Sequence, residues 1–92
     1  MTTRRKRVLI RGVVQGVGFR RFAVRTAESV SLVGWVRNCE DGSVLAEIQG
    51  NEQALKRFID WAHRGAPLAE VEEVVVEDIP TDARDTEFLI IS

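Results

Sequence analysis

The residues of this chain that could do chemistry fall in two short segments. The first is Gly12-Val13-Val14-Gln15-Gly16-Val17-Gly18-Phe19-Arg20, which follows the apolar run Val8-Leu9-Ile10 and precedes a stretch of helical spacing. Glycines in a strand-to-helix connection let the backbone turn its N–H groups inward. A helix start behind them adds free N–H groups and the positive end of its dipole. Arg20 sets a permanent, forked cation at the same spot. Dipole considerations disfavour a cation at a helix start, so its presence there points to an anionic ligand. The combination suits phosphate or another small oxyanion, each charge-assisted hydrogen bond contributing about 1.5–3 kcal/mol net.

The second segment is Arg37-Asn38, at the end of a predicted strand. Asn38 cannot act as a base near neutral pH, but its amide can both accept from and donate to a water. It suits the positioning of an attacking water. No general acid or base accompanies these groups, so a leaving group must depart unprotonated. A carboxylate, whose conjugate acid has a pKa of about 4, meets that requirement, and an alkoxide does not. The pattern favours a mixed carboxylic–phosphoric anhydride over an ordinary phosphate ester, with the proton of the water passing to a substrate phosphate oxygen.

Both segments need elements to bring them together. Lys6 to Val13 reads as a strand of β-branched and apolar residues. Phe19, Phe22, Ala23, Thr26, Ala27 and Val30 then share one helical face. Leu32 to Cys39 and Ser43 to Gln49 read as strands joined at Asp41-Gly42, a strong hairpin signal. Asn51 caps a second helix buried through Leu55, Phe58, Ile59 and Ala62, which Gly65 and Pro67 stop. Val71 to Ile79 is a strand whose alternation slips near Glu73, as a bulge would make it. Phe88 to Ile91 is a short last strand.

The order β-α-β-β-α-β plus a C-terminal strand predicts an α+β, ferredoxin-like α/β sandwich, with two helices on one face of an antiparallel sheet. That topology puts the loop at residues 14–20 and the end of the second strand at one sheet edge. The two strand axes are then two ladder spacings apart, roughly 10 Å.

At 92 residues the chain reads as a single domain, 1–92, with a flexible N-terminal tail over residues 1–5. Its net charge is −1, yet residues 1–25 hold eight Arg and Lys with no acid, while residues 68–87 hold eight Asp and Glu. Such a gradient could guide an anion toward the N-terminal part, but the two runs are expected to neutralise each other across the fold. No nucleic-acid or membrane partner is expected for the basic cluster Arg4-Arg5-Lys6-Arg7. No apolar stretch approaches the roughly 20 residues of a membrane span. RNA-recognition domains share this element order, but they need aromatics on the central strands, and Val8 to Val13 and Val44 to Ile48 contain none. Cys39 is the single cysteine, which excludes an internal disulfide and a cysteine-based zinc site. Strand alternation sends it to the face opposite Asn38. His63, the single histidine, falls in the last turn of the second helix, where a dipole interaction accounts for it. A cytoplasmic location is expected.

The segments VQGVGFR at 14–20 and GWVRNCEDGSV at 34–44 closely resemble the two signatures of acylphosphatases. Gly50, and Gly65 followed by Ala69 and Val71, extend the resemblance in collinear order over nearly the whole chain. It implies that the amides of Gln15, Gly16, Val17, Gly18, Phe19 and Arg20 cradle the phosphate. Arg20 is then the phosphate-binding arginine and Asn38 the water-orienting asparagine. The implied reaction is hydrolysis of an acyl phosphate by a monomer, with no metal and no cofactor, and with inorganic phosphate or sulfate as site ligands. A non-catalytic, regulatory phosphate-binding module of the same fold is the alternative. Two positions depart from the family pattern: Ser31 stands where a glycine usually ends the first helix, and Pro67 comes one residue late. An apolar rim at Val17 and Phe19 would tolerate varied acyl groups.

Overall fold

The computed structural model describes residues 2–92. Its elements are β1 (Arg4–Val13), α1 (Phe19–Ser29), β2 (Val33–Asn38), β3 (Val44–Gly50), α2 (Glu52–Arg64), β4 (Glu70–Ile79) and β5 (Phe88–Ile90). They build one sheet in the order β4-β1-β3-β2-β5. The first four strands pair antiparallel, as the element order predicts. β5 pairs parallel with β2, so the complete sheet is mixed.

Both helices cover one face of this sheet because their apolar stripes match its inward residues. Phe19, Ala23 and Ala27 of α1 and Ala54, Leu55, Phe58 and Ala62 of α2 are buried. They meet Val8 and Ile10 of β1, Val36 of β2 and Val44, Ala46 and Ile48 of β3, all fully buried. Asn51 caps α2 as expected, its side chain accepting from the Ala54 N–H at 2.8 Å. Gly65 closes it by donating to the Trp61 carbonyl. The bulge near Glu73 is present: Glu73 faces Arg11 and Val71 faces Gly12, leaving Glu72 as the extra residue.

The opposite sheet face explains the segregated charges. Arg7 stands opposite both Glu47 and Glu77, and Arg11 opposite Glu73, with ion pairs of 3.0–3.2 Å. Basic β1 and acidic β4 are therefore cross-strand partners. The expected tail over residues 1–5 is shorter than its composition suggests. Met1 lies outside the described residues, and Arg4 and Arg5 belong to β1. Arg5 is only 3% exposed. Its guanidinium binds Glu47 at 3.0 Å and Gln49 at 3.1 Å, and pairs with Asp85 at 2.8 Å. A run of four basic residues looks solvated in a sequence. Two carboxylates and an amide on neighbouring segments draw this one inward.

Candidate active site

The connection between β1 and α1 is shaped by two left-handed glycines. Gly16 has φ +74° and Gly18 φ +77°. A Cβ at Gly16 would meet nothing within 4 Å, so conformation rather than space calls for glycine there. Such alternation points successive N–H groups to one side, which makes an anion-binding concavity. Gly18 is also the N-cap of α1, and no side chain caps this helix. Its first turn holds no acid and two arginines, Arg20 and Arg21. Among the described residues, nothing accepts a hydrogen bond from the N–H groups of residues 15–21. This is the reverse of α2, where Asn51 and Glu52 satisfy the start. A helix end left with cations and free donors suits an external anion.

Asn38 ends β2 opposite Val44 of β3, and Val44 lies opposite Ile10 of β1. The two-spacing separation expected from the topology is therefore realised. Gln15, Gly16, Gly18, Phe19, Arg20 and Asn38 line one cavity of 460 Å³, together with Val14, Arg21, Phe22 and Ile90. Val17 does not line it; its side chain packs against the core. The apolar rim is thus Phe22 and Ile90 instead of Val17 and Phe19, and Phe19, 2% exposed, forms a buried floor. Asn38 Oδ1 is buried and accepts no hydrogen bond. An orphaned buried acceptor costs about 1–3 kcal/mol, so it calls for a donor.

Several contacts at this edge are not legible in the sequence. The Gln15 side chain donates to the carbonyls of Cys39 and Ser43, at 2.8 and 2.9 Å, and so ties the cradle loop to the turn that follows Asn38. Arg20 donates through Nη1 to the Ser92 carbonyl oxygen, and the Asn38 N–H reaches the same oxygen at 3.2 Å. Ile90 enters from β5. Within the β2–β3 turn, Ser43 donates to Asp41 through both its hydroxyl, at 2.6 Å, and its N–H, at 3.0 Å. Those bonds hold the Asp41 carboxyl below its ordinary pKa. Cys39 and His63 lie outside the cavity lining.

The acylphosphatase family model matches residues 6–90. The chain belongs to the acylphosphatase family. It is 48% identical over 81 residues to an acylphosphatase of Burkholderia mallei strain NCTC 10247, covering 88% of this chain and 83% of that one. An acylphosphatase of Burkholderia thailandensis shows the same identity and coverage. Among solved structures, the acylphosphatase of Bacillus subtilis superposes with a TM-score of 0.92 at 33% identity, covering 99% of this chain and all of the other. The same fold occurs within a larger protein, full-length HypF in a phosphate- and nucleotide-bound form. There the TM-score is 0.87 and the identity 26%, over 99% of this chain but 12% of that one. The chain is accordingly an acylphosphatase enzyme on the ferredoxin-like fold. Among the described residues, no helix is long and apolar enough to cross a membrane.

Proposed function

We propose that this acylphosphatase cleaves the carboxyl–phosphate bond with two residues and a backbone cradle, using neither metal nor cofactor. The amides of Gln15 to Arg20 and the Arg20 guanidinium hold the phosphate. Asn38 orients a water in line with the departing carboxylate. The water oxygen bonds to phosphorus, the bond from phosphorus to the carboxyl oxygen breaks, and its electron pair leaves on the carboxylate. The proton of the water passes to a phosphate oxygen, giving a carboxylate and inorganic phosphate. No acid is needed, because a carboxylate departs unprotonated at neutral pH.

The observation that carries this reading is the orphaned Oδ1 of Asn38, sharing one cavity with free amides and a guanidinium. A phosphate on the cradle and a water on Asn38 satisfy donors and acceptor together. The protein is read as a cytoplasmic monomer acting on small molecules, with no nucleic-acid or membrane partner.

Hydrolysis of benzoyl phosphate, followed by ultraviolet absorbance, tests the assignment. Arg20→Gln removes charge-assisted bonds and is expected to lower kcat/KM by about 10²–10⁴-fold. Arg20→Lys recovers little of it, since a point charge does not reproduce a planar fork. Asn38→Ala is expected to cost about a hundredfold or more, mostly in kcat. A folded wild type that binds inorganic phosphate by calorimetry without turning over any acyl phosphate would establish the phosphate-binding module instead.

A further inference from the structure

The cavity has more room than the reacting atoms fill. A water takes about 30 Å³ of liquid volume, so a phosphate and one water leave most of the 460 Å³ free. The cradle, Arg20 and Asn38 account for the polar end. Of the remaining walls, Val14 and Phe19 are buried core side chains, which leaves Phe22 and Ile90 as apolar surface that a ligand can touch.

These two side chains flank the cavity from different elements. Phe22 stands one turn into α1, with its ring edge 3.8 Å from where a Cβ on Gly18 would be. The Arg25 guanidinium carbon lies over the ring, 5.7 Å from its centroid, and such cation–π stacking holds the ring in place. Ile90 of β5 is in register with Val36 of β2, which is fully buried under the helices. Registered residues of paired strands point to the same face, so Ile90 projects on the helix side, toward α1. It nevertheless remains 48% exposed. A half-exposed isoleucine and a stacked aromatic ring lining one cavity beside an anion cradle are apolar surface that a ligand would remove from water.

We propose that Phe22 and Ile90 form the subsite for the acyl group, selecting acyl phosphates whose acyl part is aromatic or branched and apolar. The proposal rests on the hydrolytic reading above. With phosphate on the cradle, the acyl group lies between α1 and β5 and covers both side chains. Arg21, exposed on the same lining and free of any carboxylate partner among the described residues, is the competing feature. It would favour an acyl group carrying a second anionic group.

The test measures kcat/KM for benzoyl, acetyl and succinyl phosphate, each normalised to its uncatalysed hydrolysis, in the wild type, Phe22→Ala and Ile90→Ala. The benzoyl-to-acetyl ratio is expected to fall about tenfold in Phe22→Ala and by a smaller factor in Ile90→Ala, both mainly through KM. Ile90 lies at the surface, so its variant keeps the test open where the loss of Phe22 disturbs the core. Ratios unchanged in folded variants, or a wild-type preference for succinyl over benzoyl phosphate, would overturn the subsite and leave hydrolysis standing. A wild type that turns over none of the three overturns the hydrolytic reading, and the subsite with it.

Discussion

In the proposed mechanism Arg20 and Asn38 supply the chemistry, but neither holds its own position. Asn38 sits at a strand end, where the chain is about to turn, and Arg20 at an uncapped helix start. Gln15 links the two, because its amide donates across the gap to Cys39 and Ser43. Removing those bonds is expected to loosen the turn that follows Asn38, while the glycine conformations that expose the cradle amides persist. Gln15→Leu is therefore expected to lower kcat for benzoyl phosphate by about tenfold or more, since small misplacements of an attacking group are costly. The inhibition constant for inorganic phosphate should change much less. Comparing kcat with that constant in one variant checks the assignment, and an equal loss in both would contradict it. Gly16 and Gly18 act at the same scale, as the conformations that expose the amides.

Among the elements, α1 shows a departure from the family pattern that has a physical cost. It ends in a Schellman arrangement, with the Leu32 N–H donating to the Ala27 carbonyl and the Ser31 N–H to that of Glu28. The residue that must be left-handed in this motif is Ser31, at φ +60°. A left-handed non-glycine residue costs roughly 1–2 kcal/mol, while glycine costs about 0.5–1 kcal/mol in added freedom of the unfolded chain. Ser31→Gly is thus expected to gain about 0.5–1 kcal/mol net, raising Tm by roughly 2–8 °C for a domain of this size. Ser31 is outside the cavity lining, so turnover should be unaffected. Thermal denaturation by circular dichroism decides the matter. The edge strand β4 follows a different logic: Glu70, Glu72, Glu73, Glu77 and Asp78 place acids along it, which discourages pairing with another sheet.

At the scale of the whole molecule, charge and topology join segments distant in the chain. Gln49 exchanges two hydrogen bonds with the Asp82 backbone, at 2.8 and 3.0 Å, and Arg5 pairs with Asp85. The loop that delivers β5 is therefore anchored on β1 and β3. Asp82 itself is held at a pKa of about 2, chiefly by the Arg84 side chain. Lys6 lowers that of Asp78, and Ser43 that of Asp41. Each of these carboxyls is more acidic in the fold than its ordinary value of about 3.9. Their ionised forms therefore favour the native state above about pH 4, and for Asp82 that contribution is lost as pH falls toward 2. Urea midpoints measured from pH 6 down to 2.5 should fall below pH 4. Asp82→Asn should show a shallower fall than the wild type, and an equal slope would count against the assignment. Because Asp41 and Asp78 are exposed and Asp82 is only partly buried, the effect is a modest one.

Much of this protein is determined by the sequence alone. Periodicity distinguishes the two helices from the strands because each element buries one face, and the faces recur with different periods. Element order then leaves few topologies, since right-handed crossovers put both helices on one side. That order alone places Asn38 beside the glycine loop. Pairing between distant segments, by contrast, is set only when the chain folds. β5 lies parallel to β2, a choice its three residues cannot encode, and this brings Ile90 into the cavity and the Ser92 carbonyl to Arg20. Arg5 is buried because Glu47, Gln49 and Asp85 converge on it, although in the sequence it is one of four consecutive basic residues. Local pattern records which face of an element is apolar. It does not record which remote polar group will arrive to meet a given side chain, and that meeting is a property of the folded whole.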